Sequence, residues 1–167
     1  MITQDYLKER LDYNPETGIW IWKTHYFKSM IGTRAGSLDC HGYRRIGIDY
    51  EEYKEHKLAF LYMKGEWPEI GIDHENTIKD DNSWTNLRKA NKSQNNCNRG
   101  KQKNNTSGFK GVFFDKRDKS YYAQIRINGK CIPLGRSKDP KVCSQLYIEA
   151  QQKYHGNFKN KTLTTKL

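Results

Sequence analysis

Asp73 and His74 are adjacent in the asparagine-rich segment IDHENTIKDDNSWTNLRKANKSQNN. A carboxylate oxygen suits a hard cation such as Mg²⁺, and a neutral imidazole can take a proton from water near pH 7. Phosphodiester hydrolysis needs both functions, because a base activates the water and a cation stabilises the charge that develops on the departing oxygen. The pair therefore indicates phosphodiester chemistry.

Two asparagines of the same segment have suitable residue types for the remaining roles. Asn86 can fix the tautomer and direction of the His74 ring through its amide oxygen. Asn95, in the first turn of a predicted helix, can direct a neutral oxygen at a cation held by Asp73, and Asn96 is an alternative to it. Taken singly, each residue also fits ordinary turn or helix-start chemistry.

The first half of the chain must position these residues on a β-rich scaffold. Strands are predicted in GIWIWK and in GYRRIGIDYEEYKEHKLAFLYM, with DYEE as a turn between Ile46–Ile48 and Leu58–Met63. Alternation along a strand would place Asp73 and His74 on opposite faces. The apolar run Leu58–Met63 is compatible with a strand or a short helix, since six residues do not settle the period.

The second half predicts three strands within residues 109–135 and one helix after Asp139. Turns are expected near DKRDKS and at Asn128-Gly129, a dipeptide that favours two-residue hairpins. In the middle strand, alternate residues from Tyr121 to Ile127 face inward, and those from Tyr122 to Asn128 face outward. A four-residue repeat on the helix predicts the face that covers the sheet: Val142, Leu146, Ala150 and Tyr154.

The net charge of +11 is concentrated in the C-terminal part. Residues 1–97 contain 14 Lys and Arg against 15 Asp and Glu, a net charge of −1, whereas residues 98–167 contain 16 against 4, a net charge of +12. A basic block of this kind attracts nucleic acid by neutralising phosphates and releasing counterions. A solvated basic surface without a specific partner is the alternative interpretation.

Several classes are disfavoured by composition. The mean hydropathy is −1.03, and no apolar run approaches the roughly 20 residues of a membrane span, so no membrane association is expected. The first ten residues lack the apolar core of a secretion signal, so a cytoplasmic location is expected. The four cysteines form no C-x-x-C pair, so reduced thiols and no structural zinc are expected.

The segment from Ile72 to Asn98 resembles the motif of the HNH endonucleases, particularly the phage homing group. The resemblance implies a ββα-metal finger with Asp73 as first metal ligand, His74 as general base, Asn86 as the residue orienting that base and Asn95 as second ligand. It also implies one divalent cation, Mg²⁺ with Mn²⁺ as the alternative, and a phage protein acting in the host cytoplasm. His56, in EHKLAF, resembles an element that precedes this motif, and a packing or DNA-facing role is expected for it.

Residues 104–158 resemble the APETALA/ethylene-response-factor DNA-binding domain, in which the sheet lies in the major groove of duplex DNA. The plant domains have arginine where this chain has Phe113 and Asp115, so their base preference is not transferred. The predicted DNA contacts fall into three groups. The linker cations are Arg99, Lys101 and Lys103, and the turn cations are Lys116 and Arg117. The residues that match the domain by position are Lys110, Phe113, Asp115, Tyr122, Gln124, Arg126 and Lys130.

The expected fold is α+β. A β-rich module at residues 1–98 contains the metal finger at about residues 70–98. A basic linker follows at residues 99–107. The DNA-binding domain, a three-stranded antiparallel sheet packed on one helix, occupies residues 108–160, and residues 161–167 form a tail. The expected function is metal-dependent hydrolysis of duplex DNA by a monomer, with a dimer as the alternative. A DNA-binding regulator with an inactive nuclease module and an RNA-binding accessory protein are the rival functions.

Overall fold

The computed structural model describes residues 1–102, 104–127 and 129–158. Lys103, Asn128 and the predicted tail 161–167 lie outside the described residues. Two compact units divide the chain, Met1–Asn91 and Lys92–Leu167. The division falls earlier than the module boundary predicted after residue 98, so the predicted linker lies within the second unit. Within the described ranges, no helix has the length and apolar character needed to cross a membrane.

The first unit is a mixed α/β structure with small antiparallel sheets. β1 pairs with β2, β4 pairs with β3 and β5, and β6 pairs with β7. In chain order its elements are α1 (Gln4–Arg10), β1 (Leu11–Asn14), β2 (Ile19–Trp22), β3 (Ser37–Leu38), β4 (Arg44–Ile48), β5 (Glu51–Lys54), α2 (Glu55–Lys64), β6 (Ile72–His74) and β7 (Leu87–Lys89).

The ambiguous apolar run belongs to a helix, α2. Leu58, Ala59 and Leu61 are buried in the core of the first unit, together with Trp20 of β2. Gly65 ends the helix in the left-handed region at φ 77°, a conformation that glycine adopts without a steric penalty. Four consecutive residues, Leu58 to Leu61, are buried, so this part of α2 is covered on most of its circumference and its continuous apolar run has neither period.

The loop between β6 and β7 is held against the β1–β2 turn. The Tyr13 hydroxyl donates to the Asn82 carbonyl at 2.7 Å, and the Trp84 amide donates to the Pro15 carbonyl at 2.7 Å. Gly18 lies so close that a Cβ there would come within 2.3 Å of the Asn82 carbonyl carbon. Glycine at position 18 therefore permits the close approach that fixes Asn82.

The second unit contains α3 (Lys92–Asn98), β8 (Val112–Asp115), β9 (Ser120–Ile127), β10 (Lys130–Ser137) and α4 (Pro140–His155). The three strands form an antiparallel sheet with β9 in the centre, and α4 packs against it. The sequence predicts the same three strands and helix. Gly129 has φ 82° and Lys130 pairs with Ile127, in agreement with a two-residue turn.

The buried face of α4 differs from the predicted four-residue repeat. Val142 and Tyr154 are 49% and 44% exposed, whereas Cys143, Tyr147 and Ala150 are buried against the sheet. Four residues turn a helix by about 40° more than a full turn, so a strict four-residue repeat drifts around the axis. Steps of four and three residues keep one face towards the sheet, and that pattern is the one the structure follows.

Candidate active site

Asp73 and His74 occupy consecutive positions on β6. Asp73 pairs with Arg88 of β7 and His74 pairs with Leu87. Successive side chains of a strand point to opposite faces, so the hairpin separates the carboxylate from the imidazole as predicted. Both side chains are buried, with 4% and 5% of their surfaces exposed.

A buried hydrogen-bonded chain holds the His74 ring. His74 Nε2 lies 3.1 Å from Asn82 Oδ1, Asn82 Nδ2 donates to Glu55 Oε2 at 3.0 Å, and Arg44 Nε donates to Glu55 Oε1 at 2.9 Å. Asn82 and Glu55 are each 1% exposed. Residues from β4, α2 and the β6–β7 loop therefore converge on one ring nitrogen.

The hydrogen bonds from Glu55 through Asn82 to His74 determine which nitrogen of the His74 ring carries the proton. The Glu55 carboxylate accepts hydrogen bonds, so the Asn82 amide must present its NH₂ group to Glu55 and its oxygen to His74. An oxygen at that position requires Nε2–H on the ring. In a neutral imidazole the lone pair is then on Nδ1, which is the nitrogen able to take a proton from water.

The amide of Asn86 has a different role from the predicted one. Its Oδ1 accepts from the Asn76 backbone N–H at 2.9 Å, and its Nδ2 donates to the Asp81 carbonyl at 2.8 Å. Asn86 thus closes the loop after β6, while Asn82 contacts the His74 ring. The sequence alone did not distinguish them, because both asparagines lie in the same turn-rich segment.

Burial sets the protonation of His74. Burial lowers its pKa, while the hydrogen bond with Asn82 and the carboxylates of Asp73 and Asp81 act in the opposite direction. The net shift is downward from the ordinary value near 6.5. The ring is therefore neutral at pH 7, as a general base must be.

His56 packs against the candidate base. Its ring lies 5.2 Å from the His74 ring, edge to face, and Tyr43 contacts both rings at 5.6 and 5.9 Å. The Nδ1 atom of His56 is buried without a hydrogen-bond partner, and burial lowers the pKa of His56 to about 3. Of the two roles expected for His56, the structure places it in packing.

We expect His56 to make the first unit sensitive to acid. Because its pKa is lower in the folded chain than in the unfolded chain, the free energy of unfolding falls as the pH drops from about 6.5 to about 3, by up to about 1.4 kcal/mol per pH unit. Urea unfolding at several pH values should show a shallower dependence in His56→Phe. The exposed control His41→Phe should keep the wild-type slope, and an unchanged slope in His56→Phe would refute the assignment.

Asp73 is paired with Arg88. The Arg88 Nε and Nη2 atoms donate to Asp73 Oδ2 at 2.9 and 2.7 Å, and Arg88 Nη1 lies 3.8 Å from Glu75 Oε2. One guanidinium therefore serves two carboxylates flanking His74. This pairing fixes the orientation of the Asp73 carboxylate on the strand.

The donor chemistry fits Mg²⁺ bound through few protein ligands. Asp73 supplies a hard carboxylate oxygen, and Mg²⁺ commonly uses one or two carboxylates with waters and substrate phosphates. Among the described residues, no group of three or more His, Cys, Asp or Glu side chains could hold a metal ion. Asn95 and Asn96 are exposed on α3, in the second unit, so their pairing with Asp73 stays a prediction.

The second unit presents most of the predicted DNA contacts on its surface. Ala123 and Ile125 of β9 are buried, so Tyr122, Gln124 and Arg126 face the other side of the sheet, as predicted. Phe113 of β8 pairs with Tyr122 on the same face. The predicted cations with exposed side chains are Arg99, Lys101, Lys116, Arg117, Arg126 and Lys130.

Two predicted contacts are engaged within the unit instead. Lys110 is partly buried, its Nζ donates to the Cys97 carbonyl at 2.6 Å, and burial lowers its pKa to about 8. The Asp115 carboxylate lies 3.3 Å from Arg136 Nη1. Both side chains are engaged inside the unit, so neither residue is included in the proposed DNA face.

Arg136 is a functional candidate that the sequence did not single out. Its guanidinium lies 5.7 Å from the Tyr122 ring centroid and 2.5 Å from Asp118 Oδ2. Strand pairing between β9 and β10 places Arg136 opposite Tyr122, and this register depends on a bulge between Pro133 and Gly135. The Asn-Gly turn signals the hairpin, but the bulge shifts the pairing beyond it.

A family model matches the part of the chain that contains this site. Residues 53–97 match the family model described as HNH endonuclease, a stretch that includes Asp73, His74, Asn82 and Asn86. A solved structure titled "DNA binding and cleavage by the HNH homing endonuclease I-HmuI" is similar, with 25% sequence identity and a TM-score of 0.40. The match covers 52% of this chain and 49% of that chain, so this chain spans about half the length of that solved protein. No curated protein matches the sequence significantly.

Proposed function

We propose that this protein is a metal-dependent DNA endonuclease of the HNH homing type that hydrolyses phosphodiester bonds in duplex DNA. The observation that carries the proposal is the buried Glu55–Asn82–His74 chain, which sets Nδ1 of a neutral imidazole as the basic nitrogen. His74 directly follows Asp73 in the HNH-matching segment, and the two side chains lie on opposite faces of β6.

His74 acts as the general base. Its Nδ1 takes a proton from a water molecule as the water oxygen forms a bond to phosphorus and the bond from phosphorus to the 3′ oxygen breaks. The departing 3′ oxygen takes a proton from solvent, so the products carry 5′-phosphate and 3′-hydroxyl ends. Asn82 holds the Nε2–H of the ring throughout, and the Glu55 carboxylate behind it favours the positive charge that the ring acquires.

Asp73 and Asn95 would hold the divalent cation, with Asn96 as the alternative to Asn95. A bound Mg²⁺ would stabilise the negative charge that develops on the phosphate and on the leaving oxygen. Arg88 keeps the Asp73 carboxylate in place through Oδ2. With one carboxylate among its ligands, the cation would complete its coordination with waters and phosphate oxygens.

Asn82 has a measurable positioning role under this proposal. Replacing it with alanine removes the acceptor that fixes the ring, and a small misplacement of a catalytic group can lower a rate by about a hundredfold. We expect Asn82→Ala to nick plasmid DNA about 10- to 100-fold more slowly at unchanged DNA affinity. Asn14→Ala, which alters a turn in the same unit, is the control. A folded Asn82→Ala protein with the wild-type rate would contradict this role.

The outer face of the second unit would hold the duplex. Arg126 can donate two hydrogen bonds to a guanine edge and Gln124 can pair with adenine, while the exposed turn cations contact phosphates. We expect the double variant Lys116→Gln/Arg117→Gln to lower the slope of log Kd against log salt concentration by about 2. Lys141→Gln, on α4, should leave the slope unchanged. An unaltered slope in the double variant would remove these cations from the interface.

A plasmid assay tests the proposed activity. Supercoiled DNA incubated with the protein should be converted to nicked or linear forms in Mg²⁺, and EDTA should prevent the conversion. The rival function is a DNA-binding regulator with an inactive nuclease module. The Arg88 pairing favours that rival, because a guanidinium on the ligand carboxylate opposes cation binding. DNA binding without cleavage in Mg²⁺ or Mn²⁺ at any protein concentration would establish the regulator.

A further inference from the structure

A cavity opens on the outer face of the sheet in the second unit. Its volume is about 630 Å³, and its lining includes Arg99, Phe113, Tyr122, Gln124 and Arg126. Cavities of roughly 300–1,000 Å³ accommodate small-molecule ligands. A face that only followed a groove of duplex DNA would not need a recess of this size.

An aromatic column forms one wall of the cavity. The Phe113 and Tyr122 rings are stacked at 5.5 Å with planes inclined by 25°, and the Arg136 guanidinium covers Tyr122 at 5.7 Å. Arg136 is in turn held by the carboxylates of Asp115 and Asp118. The column is therefore fixed at the Arg136 end, and at the other end it presents Phe113, which is 40% exposed.

The groups around the column suit a nucleotide. A flat ring can stack on Phe113, the Gln124 amide offers a donor and an acceptor to a base edge, and the Arg99 guanidinium suits a phosphate. Aromatic side chains bind bases by stacking irrespective of sequence. A base inside an intact duplex has both faces covered by its neighbours, so only an unpaired base can stack here.

We propose that this cavity binds one unpaired nucleobase of DNA, stacked on Phe113. The inference rests on the proposed DNA-binding function and deepens it, because it assigns to the second unit a preference for DNA that is locally unpaired. Positive charge supports DNA as the occupant: residues 98–167 have a net charge of +12.

Binding of two matched duplexes by the full chain in EDTA tests the proposal. One duplex is fully paired and the other carries a single unpaired 2-aminopurine, whose fluorescence falls when it stacks on an aromatic ring. We expect the wild-type protein to bind the second duplex about tenfold more tightly and to quench its fluorescence. Phe113→Leu should lose both effects, and Phe113→Trp should retain them. Tyr154→Leu, which removes a similarly exposed aromatic ring from α4, should behave as wild type.

Equal affinity of the wild-type protein for the two duplexes would overturn the proposal, as would a preference that survives in Phe113→Leu. Tighter binding to unpaired RNA than to unpaired DNA would also overturn it. Failure of the proposed function would appear separately, as loss of binding to the paired duplex or of plasmid nicking. Both are measured independently of the preference for the duplex with the unpaired base.

Discussion

His74→Ala is expected to cleave DNA about a hundredfold to ten-thousandfold more slowly than the wild-type protein, the usual contribution of a general base. The variant removes the nitrogen that takes the proton from water but leaves the proposed DNA face unaltered. A base makes little contact with substrate before the transition state, so the dissociation constant for DNA should remain near that of the wild type.

Nicking of plasmid in single-turnover conditions and fluorescence anisotropy with a labelled duplex measure the two quantities separately. His41→Ala is the matched control, because it removes an exposed imidazole from the same unit. If His74→Ala lost affinity and cleavage to the same extent, His74 would have a structural role. If the variant cleaved at the wild-type rate, the base would be another group.

Glu55→Ala is expected to lower the free energy of unfolding by about 3–5 kcal/mol, the cost of removing one partner of a buried ion pair. Glu55 is 1% exposed and accepts hydrogen bonds from Arg44 and Asn82. Its loss leaves the Arg44 guanidinium, whose side chain is 12% exposed, without its carboxylate. Burial raises the pKa of Glu55, but Arg44 and Asn82 both favour the ionised form.

Urea unfolding of the wild type and Glu55→Ala measures this difference. Glu52→Ala is the control, because it breaks an ion pair with Arg45 in which the Glu52 side chain is 62% exposed, against 1% for Glu55. Surface pairs contribute at most about 1 kcal/mol, so the control should unfold close to the wild-type midpoint. Equal destabilisation by the two variants would show that Glu55 does not act as a buried counterion.

The sequence indicated the local part of the site. Asp73 and His74 are neighbours in the chain, and strand alternation was enough to place them on opposite faces of β6. Asn82 was missed because its partners come from distant positions: Glu55 precedes it by 27 residues, and His74 by 8. A fully buried glutamate in the first turn of α2 is also uncommon, since Glu is seldom buried unless it is paired.

The second unit shows a similar limit. Alternation in β9 predicted both of its faces, whereas the buried face of α4 departed from the four-residue repeat at Val142 and Tyr154. Lys110 was assigned to the DNA face by its matching position in the APETALA-type resemblance, but its ammonium donates to the Cys97 carbonyl. Contacts of this kind depend on how α3 lies against the turn before β8, which residue types alone do not specify.

The tautomer of His74 tests the central claim most directly. Nitrogen-15 NMR of the histidine rings at pH 7, with His74 assigned by comparison with His74→Ala, distinguishes a protonated nitrogen from one with a lone pair. The buried chain predicts a neutral His74 with its proton on Nε2 and its lone pair on Nδ1. A proton on Nδ1 alone, or a doubly protonated ring, would contradict the proposed base.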